Sequence, residues 1–192
     1  MWKVFNILFL CVVLPSFGQE VKADKYKLII QVLQTAADFQ NIAPVMEIIS
    51  RDNEIFSYVP SECPLLENFR ISDNFGYRIH PIKGTRQFHS GVDLAAAYAA
   101  TVHATAQGIV TFSGNMAGYG KTVVIRHKYG FVTQYSHLTY IYRKVGQEVR
   151  KGEVIGFVGS TGQSTGNHLH YEIIKNNRKV NPLNFFNYEF RK

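Results

Sequence analysis

Residues 121–138 read KTVVIRHKYGFVTQYSHL. Two runs rich in β-branched and aromatic residues, Lys121–His127 and Phe131–Leu138, flank the tight connection Lys128-Tyr129-Gly130. That is the pattern of a β-hairpin. Outward from it, short apolar stretches alternate with Gly, Asn and Ser turns at intervals near ten residues. Further strands are expected at Tyr77–His80, Gly91–Ala95, Thr101–Phe112, Val154–Val158, His168–Ile174 and Arg178–Val180. This regular spacing predicts a mainly β domain built on an antiparallel sheet.

Composition agrees. The chain has 192 residues, 46% apolar, 14% aromatic and 18% charged, which excludes a disordered chain and a large multidomain assembly. Fifteen Gly and six Pro speak for turns and against a helical bundle.

The N-terminus carries Lys3, an apolar run from Val4 to Leu14, then Pro15-Ser16-Phe17-Gly18. This order predicts a secretory signal peptide over residues 1–18, with cleavage before Gln19. The run falls short of the about 20 apolar residues of a transmembrane helix, so no stable membrane insertion is expected after cleavage. An uncleaved anchor and a buried first strand are the alternatives. Cleavage lowers the net charge from +7 to +6 by removing Lys3. A modestly basic surface suits an anionic partner such as a wall polymer, and no Lys/Arg cluster is dense enough to argue for nucleic acid. Cleavage also removes Cys11. Cys63 then has no partner for an internal disulfide and reads as a small buried hydrophobe.

Residues 19–68 form an N-terminal extension. Tyr26, Ile29, Ile30, Leu33, Ala37 and Phe39 fit one amphipathic helix over residues 21–40. Pro44 interrupts the next stretch, Asn41 to Ser50, and Ile55–Val59 reads as extended. The apolar helix face suggests that the extension packs on the main body, where it could lie against the functional site and moderate it, or that it serves as a linker. No feature suggests a fixed oligomer, and a monomer is expected.

Seven histidines remain in the mature chain: 80, 89, 103, 127, 137, 168 and 170. In a strand, His168, His170 and Glu172 share one face, and Leu169, Tyr171 and Ile173 share the other, which reads as core. In His89-Ser90-Gly91-Val92-Asp93, a straight strand would hold the first and last residues about 13 Å apart, too far for one ion. A bend at Gly91 would bring them together. Along Phe131–Leu138, alternation puts Thr133, Tyr135 and His137 on one face, and Tyr135 is a candidate either to line the functional site with His137 or for ordinary sheet packing. Two His and one carboxylate with an open fourth position is the ligand set of a catalytic zinc site. Such a site suits hydrolysis, with two histidines left over for proton transfer and oxyanion stabilisation. His80, His103 and His127 read as structural.

These pieces in this order resemble the LytM/lysostaphin-like zinc metallopeptidases, peptidase family M23. The matching stretches are Phe75-Gly76-Tyr77-Arg78-Ile79-His80-Pro81, His89-Ser90-Gly91-Val92-Asp93-Leu94, Gly108-Ile109-Val110, Tyr135-Ser136-His137-Leu138, and Gly159-Ser160-Thr161-Gly162 leading to His168-Leu169-His170-Tyr171-Glu172. The turn Val145–Gly152 is similar as well. The resemblance covers residues 69–186, leaving 187–192 as a tail. It implies a β-rich groove with one zinc ion held by His89, Asp93 and His170. It implies His137 and His168 as the catalytic pair, and peptidoglycan peptides as substrate: cross-links in many members, glycine bridges in some. The place of action implied is the periplasm or the extracellular cell wall. A non-catalytic wall-binding or hydrolase-activator protein of the same fold is the alternative; the intact five-residue set argues against it.

Overall fold

A computed structural model describes residues 22–66, 68–79 and 84–186. The predicted signal peptide, the C-terminal tail and His80 lie outside the described residues. Among the described residues, the chain after residue 69 forms twelve strands. They are β1 (Arg70–Asp73), β2 (Gly76–Ile79), β3 (Arg86–His89), β4 (Val92–Ala95), β5 (Thr101–His103) and β6 (Gly108–Met116). The remaining six are β7 (Gly120–Arg126), β8 (Phe131–Ile141), β9 (Glu148–Val149), β10 (Val154–Val158), β11 (His168–Lys175) and β12 (Arg178–Val180). Ten of them build one sheet in the order β1-β4-β11-β8-β7-β6-β9, with β10 on β8 and β5, and β12 on β11. The pairings are antiparallel. β2 and β3 stand apart as a two-stranded hairpin.

The mainly β, antiparallel reading therefore holds, with three local differences. The long strand expected over 101–112 is two strands. Between them Ala104 N–H bonds Glu153 O, Thr105 N–H bonds the Tyr135 hydroxyl and Gln107 N–H bonds Ser57 O, so these donors are spent outside any ladder. β1, β3 and β9 were not foreseen; each is four residues or shorter and lacks a clear apolar alternation.

The extension also differs. Instead of one helix it holds α1 (residues 22–35), α2 (Phe39–Ile49) and α3 (Asn53–Phe56). Pro44 lies inside α2, where the lost N–H is tolerated because Ile42, Val45, Met46 and Ile49 are buried together. The segment expected to be extended starts as a helical turn because Asp52 Oδ1 accepts from the Glu54 and Ile55 N–H groups. A four-helix count is completed among the described residues by α4 (Leu183–Phe186).

The extension packs on one face of the sheet. Ile29, Leu33, Ile42, Met46 and Ile49 belong to the same buried cluster as Val123, Ile125, Leu169, Tyr171 and Ile173. Phe185 links the layers, its ring 4.8 Å from Phe39 and 5.9 Å from Phe131. Each such buried side chain contributes roughly 1.5–3 kcal/mol. Asn176 Nδ2 clips the end of α1 by donating to the carbonyls of Gln34 and Ala36. Cys63 is buried here, and burial pushes its thiol up to about 11, so it stays protonated and inert. The alternation on β11 is as expected: Leu169, Tyr171 and Ile173 are fully buried in this layer. The opposite face carries His168, His170 and Glu172.

Candidate metal centre

Three neighbouring strands assemble the site. Asp93 on β4 sits directly across from His170 on β11, and His170 is in turn across from Ser136 on β8. His89 closes β3 and reaches the same point over the end of the sheet. The turn there needs glycine because of close approach: a Cβ on Gly91 would lie 2.4 Å from Tyr171 O and 3.0 Å from His170 Cε1. The expected bend at Gly91 is present.

His89 Nε2, Asp93 Oδ1 and His170 Nδ1 converge. The two nitrogens are 3.1 Å apart, His89 Nε2 is 3.1 Å from the carboxylate oxygen and His170 Nδ1 is 2.7 Å from it. Donors about 2 Å from one tetrahedral ion are about 3.3 Å apart, so the spacing suits zinc. The remaining ring nitrogens are tied down. His89 Nδ1 donates to Asn74 O at 2.8 Å, and His170 Nε2 donates to Glu172 Oε1 at 3.1 Å. Each tether puts the proton on the outer nitrogen and turns the inner lone pair to the centre. Three acceptors therefore face one another, a set that a cation satisfies. Without a cation, a proton on an inner nitrogen meets the same demand: burial alone would raise the Asp93 carboxyl, and hydrogen bonds from His170 and His89 in that protonated form hold it well below the usual carboxylate range. The same carboxylate and Glu172 raise His170, outweighing the burial that opposes its charge.

Glu172 is fully buried and anchors this arrangement. It receives hydrogen bonds from Ser90 Oγ and, at 3.2 Å, from the Tyr119 hydroxyl; Lys179 Nζ lies 2.7 Å away. Burial alone would raise its pKa; His170, then Lys179 and Ser90, bring it down to about 2.

His137 and His168 stand beside the triad with ring centroids 4.7 Å apart. His137 Nδ1 donates to Thr161 O at 2.7 Å and His168 Nδ1 donates to Gly166 O at 2.8 Å. His168 Nε2 is 3.9 Å from Asp93 Oδ1. Burial pushes His137 down to about 4, which keeps it neutral near pH 7. The loop that carries Thr161 is pressed on the start of β7, where a Cβ on Gly162 would lie 2.4 Å from Gly120 N.

His137 reaches the site through a break in alternation. It has a φ of 62°, its N–H bonds Tyr119 O, and the β7–β8 register slips between Lys121 and Val123. This bulge turns His137 to the groove while Tyr135, two residues earlier, faces the core and is fully buried. The expectation that Tyr135 and His137 share a face is thus corrected, and Tyr135 takes the sheet-packing alternative.

His89, Asp93, His137, His168 and His170 line one cleft of about 250 Å³. None of the described residues of the extension lines it, so the expected contact between extension and groove is not found among them. Sequence reasoning missed Arg78, Ser90, Tyr119 and Lys179. Tyr119, an aromatic between two glycines, carried the one local hint. His103 bonds Gly152 O and Thr101 Oγ1, away from the cleft. His127 is buried on the far face, bonded to Gln107 O and Thr133 Oγ1.

Residues 87–182 match the model of peptidase family M23, half of the chain, and the chain belongs to that family. It is 54% identical over 114 residues to the DD-carboxypeptidase/endopeptidase Mpg of Neisseria meningitidis, a match covering 59% of this chain and 26% of the relative. It is 30% identical over 189 residues to the peptidoglycan DD-endopeptidase ShyA of Vibrio cholerae, covering 88% of this chain and 44% of the relative. Among solved structures, a zinc-containing peptidase from Vibrio cholerae superposes with a TM-score of 0.59 at 35% identity, covering 62% of this chain and 38% of that one. The chain thus spans less than half the length of these relatives.

Proposed function

We propose that this chain is an exported, monomeric zinc-dependent endopeptidase that hydrolyses peptide cross-links or bridges of bacterial peptidoglycan. One observation carries the reading: three acceptor atoms, two of them histidine nitrogens aimed by tethers on their outer nitrogens, converge at the floor of an open cleft beside two further histidines. The names of the relatives support the substrate class, and the N-terminal pattern supports export to the periplasm or the cell wall. No helix among the described residues is long and apolar enough to cross a membrane.

His89, Asp93 and His170 would hold the zinc ion. The bound ion would polarise the scissile carbonyl and lower the pKa of a water to about 7. His137 presents the Nε2 lone pair of a neutral ring and accepts a proton from the attacking water. His168, with Nδ1 tied to a carbonyl, turns Nε2 toward the same cleft, where it is placed to stabilise the developing oxyanion. Tyr119 and Glu172 keep the His170 ring in place.

The test incubates residues 19–192 with purified cross-linked peptidoglycan, with and without a zinc chelator, and reads products by mass spectrometry. Chelator-sensitive release of peptides is expected. A protein that binds one zinc ion and cuts nothing would instead match a non-catalytic activator of the same fold.

A further inference from the structure

The cleft holds one cation that the hydrolytic chemistry does not use. Arg78 is the only Lys or Arg among the described residues lining it. It sits on the β2–β3 hairpin, directly across from Gln87. Strand alternation sorts this hairpin into two faces. Tyr77 and Ile79 point outward and are 70% and 65% exposed. The Arg78 side chain, 21% exposed, takes the other face with Gln87 and His89. Gln87 and His89 are two residues apart, about 7 Å along the strand. The guanidinium is therefore placed roughly one to two residues of extended peptide away from the zinc-ligating set.

The guanidinium is held but not used up. Its Nε lies 2.6 Å from Asp73 Oδ2, an ion-pair contact on one edge of the fork that is not aligned as a hydrogen bond. Nη1 is buried and has no acceptor among the described residues. A planar guanidinium carries five donors, and a single carboxylate occupies one edge only. A buried donor without a partner is costly, and an anionic oxygen is the acceptor that removes the cost best.

We propose that Arg78 is a specificity residue: it binds a free carboxylate of the substrate peptide carried by the residue next to the cleaved amide. The proposal rests on the peptidase reading and narrows its substrate class to peptides bearing such a carboxylate. Asp73 orients the arginine, and Gln87, its cross-strand neighbour, supplies a neutral amide on the same wall.

The test uses two acylated D-alanyl-D-alanine peptides, identical except for a C-terminal carboxylate or carboxamide, and the zinc-loaded protein. The acid should be cut with a kcat/KM at least about 30-fold above that of the amide, in line with a charge-assisted pair. Arg78→Gln should abolish that preference by lowering activity on the acid alone, with zinc content unchanged, and Arg78→Lys should restore part of it. Equal activity of the natural protein on both peptides, or equal loss on both in Arg78→Gln, would overturn the proposal. So would failure to cut either peptide while peptidoglycan is digested. A calorimetric titration with the same peptides covers a protein that cuts nothing. Tighter binding of the acid, lost in Arg78→Gln, then sinks the peptidase reading and keeps the carboxylate site, whereas equal binding sinks both.

Discussion

The molecule contains two buried histidine networks on the same central strands, and they differ in how their hydrogen bonds close. On the core face, His127 bonds Gln107 O and Thr133 Oγ1, Thr133 bonds the Tyr135 hydroxyl, and Thr105 joins Tyr135 to Tyr171. The network runs from a carbonyl to a hydroxyl chain with donors and acceptors matched. On the groove face, His89, Asp93 and His170 bring three lone pairs to one point and leave them facing each other. A satisfied buried network stabilises one conformation, whereas an excess of acceptors calls for a ligand.

The largest effects should come from the groove. Asp93→Ala or His170→Ala should remove bound zinc and lower peptidoglycan cleavage about 1,000-fold or more, checked by metal analysis and product release. His168→Ala should retain zinc while turnover falls by about 10²–10⁴. Full activity in any of these variants would erase the distinction between the two networks.

Acid should break the core network. Burial depresses His127 to about 4, well below its ordinary value, so the unfolded chain takes up the proton first as pH falls. Stability owed to the neutral ring is complete above about pH 6.5 and is lost as pH drops toward 4, on the order of 3 kcal/mol. Urea unfolding of the chelated protein across that range should show a slope that is smaller in His127→Gln, with buried His137 supplying part of the remainder. Tyr135→Phe strips the acceptor from the buried Thr105 N–H and should cost about 1–3 kcal/mol in the same assay, with zinc content unchanged. The smallest effect is expected where the groove borrows support. Lys179→Met removes the counter-charge of Glu172 and should weaken zinc binding about 10-fold in a competition titration.

The contrast also explains what could be read in advance. β11 was legible because one of its faces is wholly buried, so period two separates His168, His170 and Glu172 from Leu169, Tyr171 and Ile173. The meeting of His89 and Asp93 was legible because Gly91 marks a bend between two residues of ligating type, whereas the choice of His170 over His168 as their companion came only with the family resemblance. The same alternation misled at His137, since a bulge swaps faces without leaving a glycine or proline as a sign. Lys179 and Arg78 were invisible because their roles come from neighbours on adjacent strands, Glu172 across the β11–β12 turn and Gln87 across the β2–β3 hairpin, which meet only in one register. The breaks within the extension were hidden too: helix α2 carries its proline where tertiary burial outweighs propensity.

The separation between His89 and His170 has a further consequence. They are 81 positions apart, joined only when β4 has found β11. Such distant pairing is slow to form, so the pocket for the ion matures late in folding. Zinc bound solely to the native state would act as a removable cross-link over that whole span. At a thousandfold excess over its Kd it would add about 4 kcal/mol of stability. The ion would thus govern how long a folded molecule lasts as well as what it cuts, and stripping it should shorten the lifetime before any bond in the chain is broken.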